Sequence, residues 1–495
     1  MRHSAWMVAA LALAVAAPDA SAQTAARGFP DGLDEALGSK FKASGRRPVP
    51  RFPRRGSDAL SVLRQWNDIA IDASGLDHTP VAPGESRIFG EQLGPTRASR
   101  AMAIVHIAMF DAVNAIAGRY QPYSSLAPVT GPASMTAAIA QAARDTLAAL
   151  FASQAASFDE LLAAELHGIS DGPAKSAGVA LGRAAATAIL ERRAGDGADH
   201  AEPRVGIDFI TSTAPGKWRQ DPISAGPLAL GARWGGVTPF VLQSSTQFRV
   251  PEPPAADSRQ YARAFEEARQ LGGDGVVTPT QRNAEETFAG TFWAYDGTPS
   301  LCAPPRLYNQ LTVQIAEQMR SDVVELARLL ALVNVALADA GIAAWESKFH
   351  YQVGRPVTVI REAGADPTFT PLGAPASNLH GPNFTPPFPA YPSGHAAFGG
   401  ALFQMLRHVY RTDRIAFTFV SDEYNGLTED HTGAVRPLHP RTFSSLSEAE
   451  EENGQSRIYL GIHWAFDKNQ GIAQGRRVAD YVFRNAFLPR RGDDR

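Results

Sequence analysis

The chain of 495 residues has one cysteine, Cys302. It therefore has no internal disulfide, and its stability must come from an apolar core. No catalytic constellation centres on Cys302 in the sequence, so it reads as a small buried apolar residue rather than a nucleophile. An excess of charge of one sign is also missing. Lys+Arg total 47 against 50 Asp+Glu, a formal net charge of -3. Neither nucleic acid nor an acidic membrane surface is favoured as a bulk partner, and positive charge matters only where it is concentrated. Beyond the N-terminus no stretch of about 18 residues is both apolar and uncharged, so no membrane span is expected in the mature chain. No repeat at a fixed period is present, which argues against a solenoid or propeller.

What is there begins with a polar start, Arg2 and His3, an apolar run from Trp6 to Ala17, and the small-x-small triplet Ala20-Ser21-Ala22 before Gln23. This is the pattern of a secretory signal, residues 1–22, cleaved at Ala22/Gln23 to give a secreted or periplasmic protein. Residues 23–57 are rich in Arg, Pro, Gly and Ala with little periodicity, and are expected to form an extended arm. From Ala59 onward the apolar spacing is helical. Arg97–Ala117 carries Met102, Val105, Ile107, Ala108, Phe110, Val113 and Ile116, with Gly118 as its stop. Met135–Phe151 and Ala174–Arg193 are Ala-rich helices. Residues 194–254, full of Pro, Gly and polar side chains, read as a long connection.

Helices are predicted again over Ser258–Leu271, Thr280–Tyr295, Leu307–Arg320 and Ser321–Glu346. The last is long and Ala/Leu-rich, as a central bundle helix would be. His395–Tyr410 follows, then a short strand over Phe417–Val420 in a hairpin, and a helix opened by a Ser447-x-x-Glu450 capping box. The class is all-α, built of helical bundles with a minor β hairpin. Its expected divisions are an N-terminal helical half, 58–254, and a C-terminal helical half, 255–495, that carries the chemistry.

That chemistry lies in three short motifs. Lys348 is followed after six residues by Arg355-Pro356; next comes Pro392-Ser393-Gly394-His395; last come Ser456-Arg457, then His463 after five residues and Asp467 after three more. Lys348 and Arg355 are seven apart, close to two helical turns, and can share a face, with the helix ending near Pro356. Ser393 and Gly394 sit at a helix N-terminus, where free N–H groups and the helix dipole favour an anion and glycine allows close approach. His463 and Asp467, at i and i+4, can meet, and a carboxylate on one ring nitrogen fixes the tautomer of the other. Arg457 lies six before His463, off the face of a straight helix. The inventory suits a tetrahedral oxyanion such as phosphate or vanadate.

These motifs resemble the signature of the type 2 phosphatidic acid phosphatase superfamily, which includes the vanadium-dependent haloperoxidases and class A bacterial acid phosphatases. The resemblance extends loosely from Arg97 onward, as at Phe292-Trp293 and Ser99 to Tyr120, and does not cover the first sixty or so residues. It implies two packed four-helix bundles. It also implies that Arg457 and His463 both contact the anion. Trp345, three before Lys348, and Phe388, five before Ser393, match the fungal-type chloroperoxidase pattern; algal bromoperoxidases have a His where Phe388 stands.

For a haloperoxidase the resemblance implies vanadate as cofactor, with His463 as its one protein ligand. Lys348, Arg355, Ser393, Gly394, His395 and Arg457 would hold it, and Asp467 would orient His463. Catalysis would fall to His395, Lys348 and His463, with hydrogen peroxide, halide and a small organic acceptor as partners. Trp345 and Phe388 would wall the halide pocket, with chloride and bromide both candidates. The alternative is a secreted acid phosphatase in which His463 attacks phosphorus, His395 protonates the leaving alcohol and the three cations stabilise the equatorial charge. A non-catalytic anion-binding protein is a third class. His106 reads as a packing histidine, whereas His350, His380, His408, His431 and His439 lie near the motifs without assigned roles.

Overall fold

The computed structural model describes residue 29, residues 32–44 and residues 56–490; the expected signal segment and its cleavage site lie outside them. Among the described residues the α-helices are α1 Leu33–Ala36, α2 Ala59–Asp77, α3 Gly94–Ala117, α4 Met135–Leu150, α5 Ala155–His167, α6 Pro173–Arg193, α7 Arg259–Leu271, α8 Ala284–Phe292, α9 Pro305–Gln318, α10 Val323–Tyr351, α11 Pro356–Glu362, α12 Gly394–Tyr410, α13 Leu446–Tyr459 and α14 Ala465–Asn485. Four short strands make two antiparallel pairs. β1 Lys42–Ala43 pairs with β2 Leu379–His380, and β3 Phe417–Phe419 pairs with β4 Arg441–Phe443.

The helix ends follow local side-chain chemistry. Asp58 caps α2 by accepting from Leu60 and Ser61, and Asp322 with Glu325 forms a capping box at the start of α10. Gly118 closes α3 in the left-handed conformation that glycine adopts without strain. The helix predicted over Thr280–Tyr295 is shorter, because Asn283 and Glu286 form the capping box three residues further in. The capping box expected at Ser447 and Glu450 is not there. Ser445 caps α13 by accepting from Glu448, while Ser447 bonds Asp413 and Glu450 is buried against Arg407 and Arg476. The closely spaced serines at 444, 445 and 447 offered several registers, and tertiary partners for Glu450 decided among them.

α10 is the spine. It packs against α3, which with α2, α4 and α6 forms one group of four helices, and against α12 and α14, which with α13 complete a second group. One apolar core runs through both groups and crosses the expected divide at 254/255. α3 and α10 are long and apolar enough to cross a membrane, yet 83% and 94% of their most apolar windows are buried inside the protein, as core helices are. The long connection 194–254 is tied back onto α10, where buried Asp339 accepts the N–H groups of Phe240, Val241 and Leu242. The arm expected over 23–57 is docked where described: Phe41 is buried and stands edge-on to Phe384 at 5.8 Å.

The seam between α12 and α14 is glycine-lined. A Cβ on Gly475 would lie 2.0 Å from the carbonyl oxygen of Ala397, and one on Gly400 would lie 2.5 Å from that of Ile472. Backbone meets backbone there, so no side chain can yield. Gly475→Ala is expected to destabilise the protein by about 1–3 kcal/mol, the usual cost of overpacking. Gly236→Ala, with open space around it, should stay within about 0.5 kcal/mol. Denaturant unfolding of the two variants checks this, and equal midpoints would contradict it.

Candidate active site

Gly394, His395, Arg457 and His463, from the second and third motifs, line one cavity, and Lys348 and Arg355 from the first are buried beside them. Lys348 stands in the last turn of α10, where the carbonyl end of the helix favours a cation. Gln352 then takes the left-handed conformation and stops the helix. Arg355 is therefore not on the same helical face as Lys348. It is the extended residue before Pro356 at the start of α11. The chain doubles back, and both cations reach the site from different segments.

Their heads are held by carbonyls of the Pro-rich segment before α12. Lys348 Nζ donates to Pro389 O at 2.8 Å and Ala390 O at 3.0 Å. Arg355 Nε donates to Phe388 O at 2.9 Å, and its Nη1 donates to Ile462 O and to His463 Nε2, both at 2.8 Å. Arg355, like any guanidinium, only donates, so His463 Nε2 carries a lone pair and Nδ1 carries the proton. Nδ1 donates to Asp467 Oδ2 at 2.8 Å. His463 itself precedes α14, outside the helix. The i, i+4 contact arises instead because Asp467 folds back to accept from both His463 and the Trp464 N–H. This also resolves the offset of Arg457: α13 ends at Tyr459, and the turn through Gly461, with its positive φ, lies between the two residues.

Ser393 is the N-cap of α12 and Gly394 its first residue. The Ser393 N–H donates to the backbone carbonyl of Asp467 at 3.0 Å, which ties the second motif to the third. His395 Nε2 donates to Ala294 O at 2.5 Å, leaving the lone pair on Nδ1. Tyr308 and Asn453 donate to the carbonyl of His395 and pin the first turn of the helix. Trp345 and Phe388 lie against each other at 4.8 Å, and Lys348 Nζ stands 5.5 Å and 5.1 Å from the two ring centres.

The sequence did not single out Asp296. It sits in the loop after α8 and receives Arg457 Nη2 at 2.6 and 2.8 Å. The only signal was its position three residues beyond the Phe292-Trp293 pair. Nothing marked it among the 50 acidic residues. Arg457 Nε and Nη1 remain buried without a protein partner. None of His350, His380, His408, His431 and His439 lines the cavity. His106 is a buried packing histidine, bonded to Met102 O and Asn67, and held neutral by a pKa pushed down to about 4 by burial.

Burial sets the electrostatics. It pushes the Lys348 ammonium well below its ordinary range, with Arg355 adding to the shift, and it lowers Arg355 to about 9. His395 and His463 are both pushed far down, first by burial and then by the neighbouring cations, so both are neutral near pH 7. Burial raises Asp467 to about 7 and raises Asp296 as well. Buried cations, unpartnered guanidinium nitrogens, a helix N-terminus and a glycine together fit a tetrahedral oxyanion.

Residues 328–491 match the family described as the VCPO second helical-bundle domain. The chain is 29% identical over 505 residues to the vanadium chloroperoxidase of Curvularia inaequalis, covering 85% of this chain and 81% of that protein. Among solved structures it resembles a bacterial vanadium-dependent iodoperoxidase, with a TM-score of 0.69 and 24% identity over 86% of this chain and 97% of the other. An apo-type bacterial vanadium-dependent chloroperoxidase follows, at 0.63 and 17% over 81% and 96%. The fold is that of the vanadium haloperoxidases.

An anion placed among these groups favours the protonated form of every one. The lowered pKa values of Lys348, His395 and His463 should rise, and so should those already raised at Asp467 and Asp296. Binding of sulfate, which has no titrating proton near neutrality, is therefore expected to take up protons at pH 7. Calorimetry in buffers of different ionisation enthalpy measures the sign, and net proton release would contradict this account of the site.

Proposed function

We propose that this protein is a vanadate-dependent haloperoxidase, which uses hydrogen peroxide to oxidise halide to hypohalous acid. The observation that carries the proposal is the floor of the cavity. There His463, oriented by Asp467, presents an Nε2 lone pair that accepts from Arg355, close to Lys348 and to an incompletely partnered Arg457. The relatives named above supply the chemical context, and the N-terminal signal pattern supports export of the mature chain.

His463 would be the one protein ligand, and Lys348, Arg355, Arg457, Ser393, Gly394 and His395 would hold the oxygens. When bound, vanadate supplies a Lewis-acid centre that activates peroxide towards halide without changing its own oxidation state. Arg355 would move its Nη1 proton from His463 Nε2 to an oxygen of the anion. His395, neutral and with a lone pair on Nδ1, accepts a proton from peroxide. Lys348 supplies a localised positive charge that polarises the peroxide. Trp345 and Phe388 provide an apolar, polarisable wall for the halide and keep water away from the cations. The same floor is suited to phosphoester hydrolysis, with His463 Nε2 as nucleophile; vanadate-dependent bromination of a phenolic dye, set beside hydrolysis of an aryl phosphate, separates the two.

His463→Ala is expected to lose vanadate retention. His395→Ala should still hold vanadate, more weakly, and lose turnover by a factor on the order of 10² or more, as loss of a general base does. Equilibrium dialysis with metal analysis, run beside bromination rates, distinguishes them; a His463→Ala protein that retains vanadate like wild type would refute the assignment.

Phe388 cannot share a proton with peroxide oxygens as an imidazole could. Phe388→His is expected to reduce chloride oxidation more than bromide oxidation, because bromide is the easier to oxidise. Paired rates with the two halides test this, and an unchanged ratio counts against it.

A further inference from the structure

The cavity above the anion-binding floor holds about 50 Å³ and is lined on most sides by apolar side chains. That is room for a few waters, or for a tetrahedral oxyanion, but not for an oxyanion carrying an aromatic ring. The floor residues His395, Arg457 and His463 are buried. Among the described residues that line the cavity, only Leu37, Pro95, Asp296, Gly297 and Pro387 are partly exposed, and so mark its mouth. Pro95 and Pro387 are rigid rings, Gly297 offers only backbone, and Asp296 is tied to Arg457. Leu37 alone contributes a side chain with rotatable bonds and no polar tie, packed against the neighbouring apolar core.

Leu37 comes from a separate piece of chain. It closes α1, its N–H donating to Leu33 O at 2.8 Å. The segment 32–44 is fastened over the mouth on both sides. Phe41 stands on Phe384, itself a cavity-lining residue, and β1 pairs with β2. Glu35 pairs with Arg204, and Lys40 donates to Ile223 O. The strap is thus anchored at points that flank Leu37, which is itself one of the residues lining the cavity.

We infer that Leu37 is a size-selecting residue. From the N-terminal strap it sets the aperture through which peroxide or phosphoester reaches the floor, admitting hydrogen peroxide and inorganic oxyanions and rejecting aryl or branched-alkyl derivatives. This rests on the anion-site assignment, and not on the choice between halide oxidation and phosphoester hydrolysis. Removing three carbons from the aperture widens it for bulky ligands and leaves small ones unaffected.

The test compares inorganic phosphate with phenylphosphonate by calorimetry, using the full-length protein without vanadate. Wild type should bind phosphate at least about ten-fold more tightly. Leu37→Ala should narrow that ratio about five-fold or more, and Leu37→Phe should widen it, with phosphate affinity moving less than about two-fold in either. In the vanadate-loaded enzyme, the ratio of hydrogen peroxide to cumene hydroperoxide turnover should move the same way. A ratio unmoved in both variants while phosphate still binds overturns the role of Leu37. Failure of wild type to bind phosphate at all overturns the anion site, and this inference with it. Because the two substitutions push the ratio in opposite directions, loss of one variant to misfolding leaves the other decisive.

Discussion

Three basic side chains, Lys348, Arg355 and Arg457, buried together beside a small cavity are the constraint to which the rest of the molecule answers. Removing a lysine and two arginines from water is expensive unless partners replace the lost hydration. Two carboxylates, Asp296 and Asp467, are near enough to help, yet burial draws both of them towards the neutral form. The remaining stabilisation comes from dipoles. Carbonyls of Phe388, Pro389, Ala390 and Ile462 point at Lys348 and Arg355. A Pro-rich strand is well suited to this, since prolines leave carbonyls free without adding competing N–H donors. The last turn of α10 contributes its carbonyl end to Lys348 as well. What these dipoles do not supply is a partner for Arg457 Nε and Nη1, a gap that an oxyanion would fill.

The helical scaffold holds this arrangement together by small-residue packing. Gly471, Gly475 and Gly400 let α12 and α14 touch through their backbones. A close seam is what allows the Ser393 N–H to reach the Asp467 carbonyl, so the loop that presents Gly394 and the carboxylate that orients His463 move as one unit. On the other side, α10 is buried along nearly its whole length between the two helical groups. The N-terminal half therefore supports the site without supplying any of its anion-facing groups. Its contribution is to fix the direction of the helix that carries Trp345 and Lys348.

Much of this was legible in the sequence, and what was not has physical causes. Long helices such as α3, α6 and α10 follow from apolar spacing, and Ser393 marked the start of α12, whereas the helix expected to end near Pro356 stops at Tyr351. The shared face of Lys348 and Arg355 did not survive, because Gln352 ends α10 in a left-handed conformation that its side chain does not announce. His463 was placed on a helix because its spacing to Asp467 is helical; the same contact is reached through a capping carboxylate, and spacing alone does not separate the two. Asp296 had no signal beyond its place three residues after Phe292-Trp293. Its importance comes from Arg457, brought to it across 161 residues of chain. The cavity mouth was equally hidden, since a segment that read as an arm is pinned by contacts distant in sequence: Phe41 with Phe384, β1 with β2, Glu35 with Arg204 and Lys40 with Ile223.

The apolar wall and the small cavity together bear on where the chemistry ends. Trp345, Phe388 and the prolines leave the cations little water, which would strengthen their hold on an anion and, on the haloperoxidase assignment, on charge that develops during peroxide cleavage. The same wall makes the cavity too tight for an organic acceptor to sit beside the anion. On the haloperoxidase assignment, the halide is then the largest partner besides peroxide that must reach the floor. The oxidising equivalent has to leave as a small neutral molecule, hypohalous acid, before it meets an acceptor. Selectivity towards that acceptor would belong to solution chemistry, while selectivity among halides and peroxides would belong to the residues of the wall and the strap.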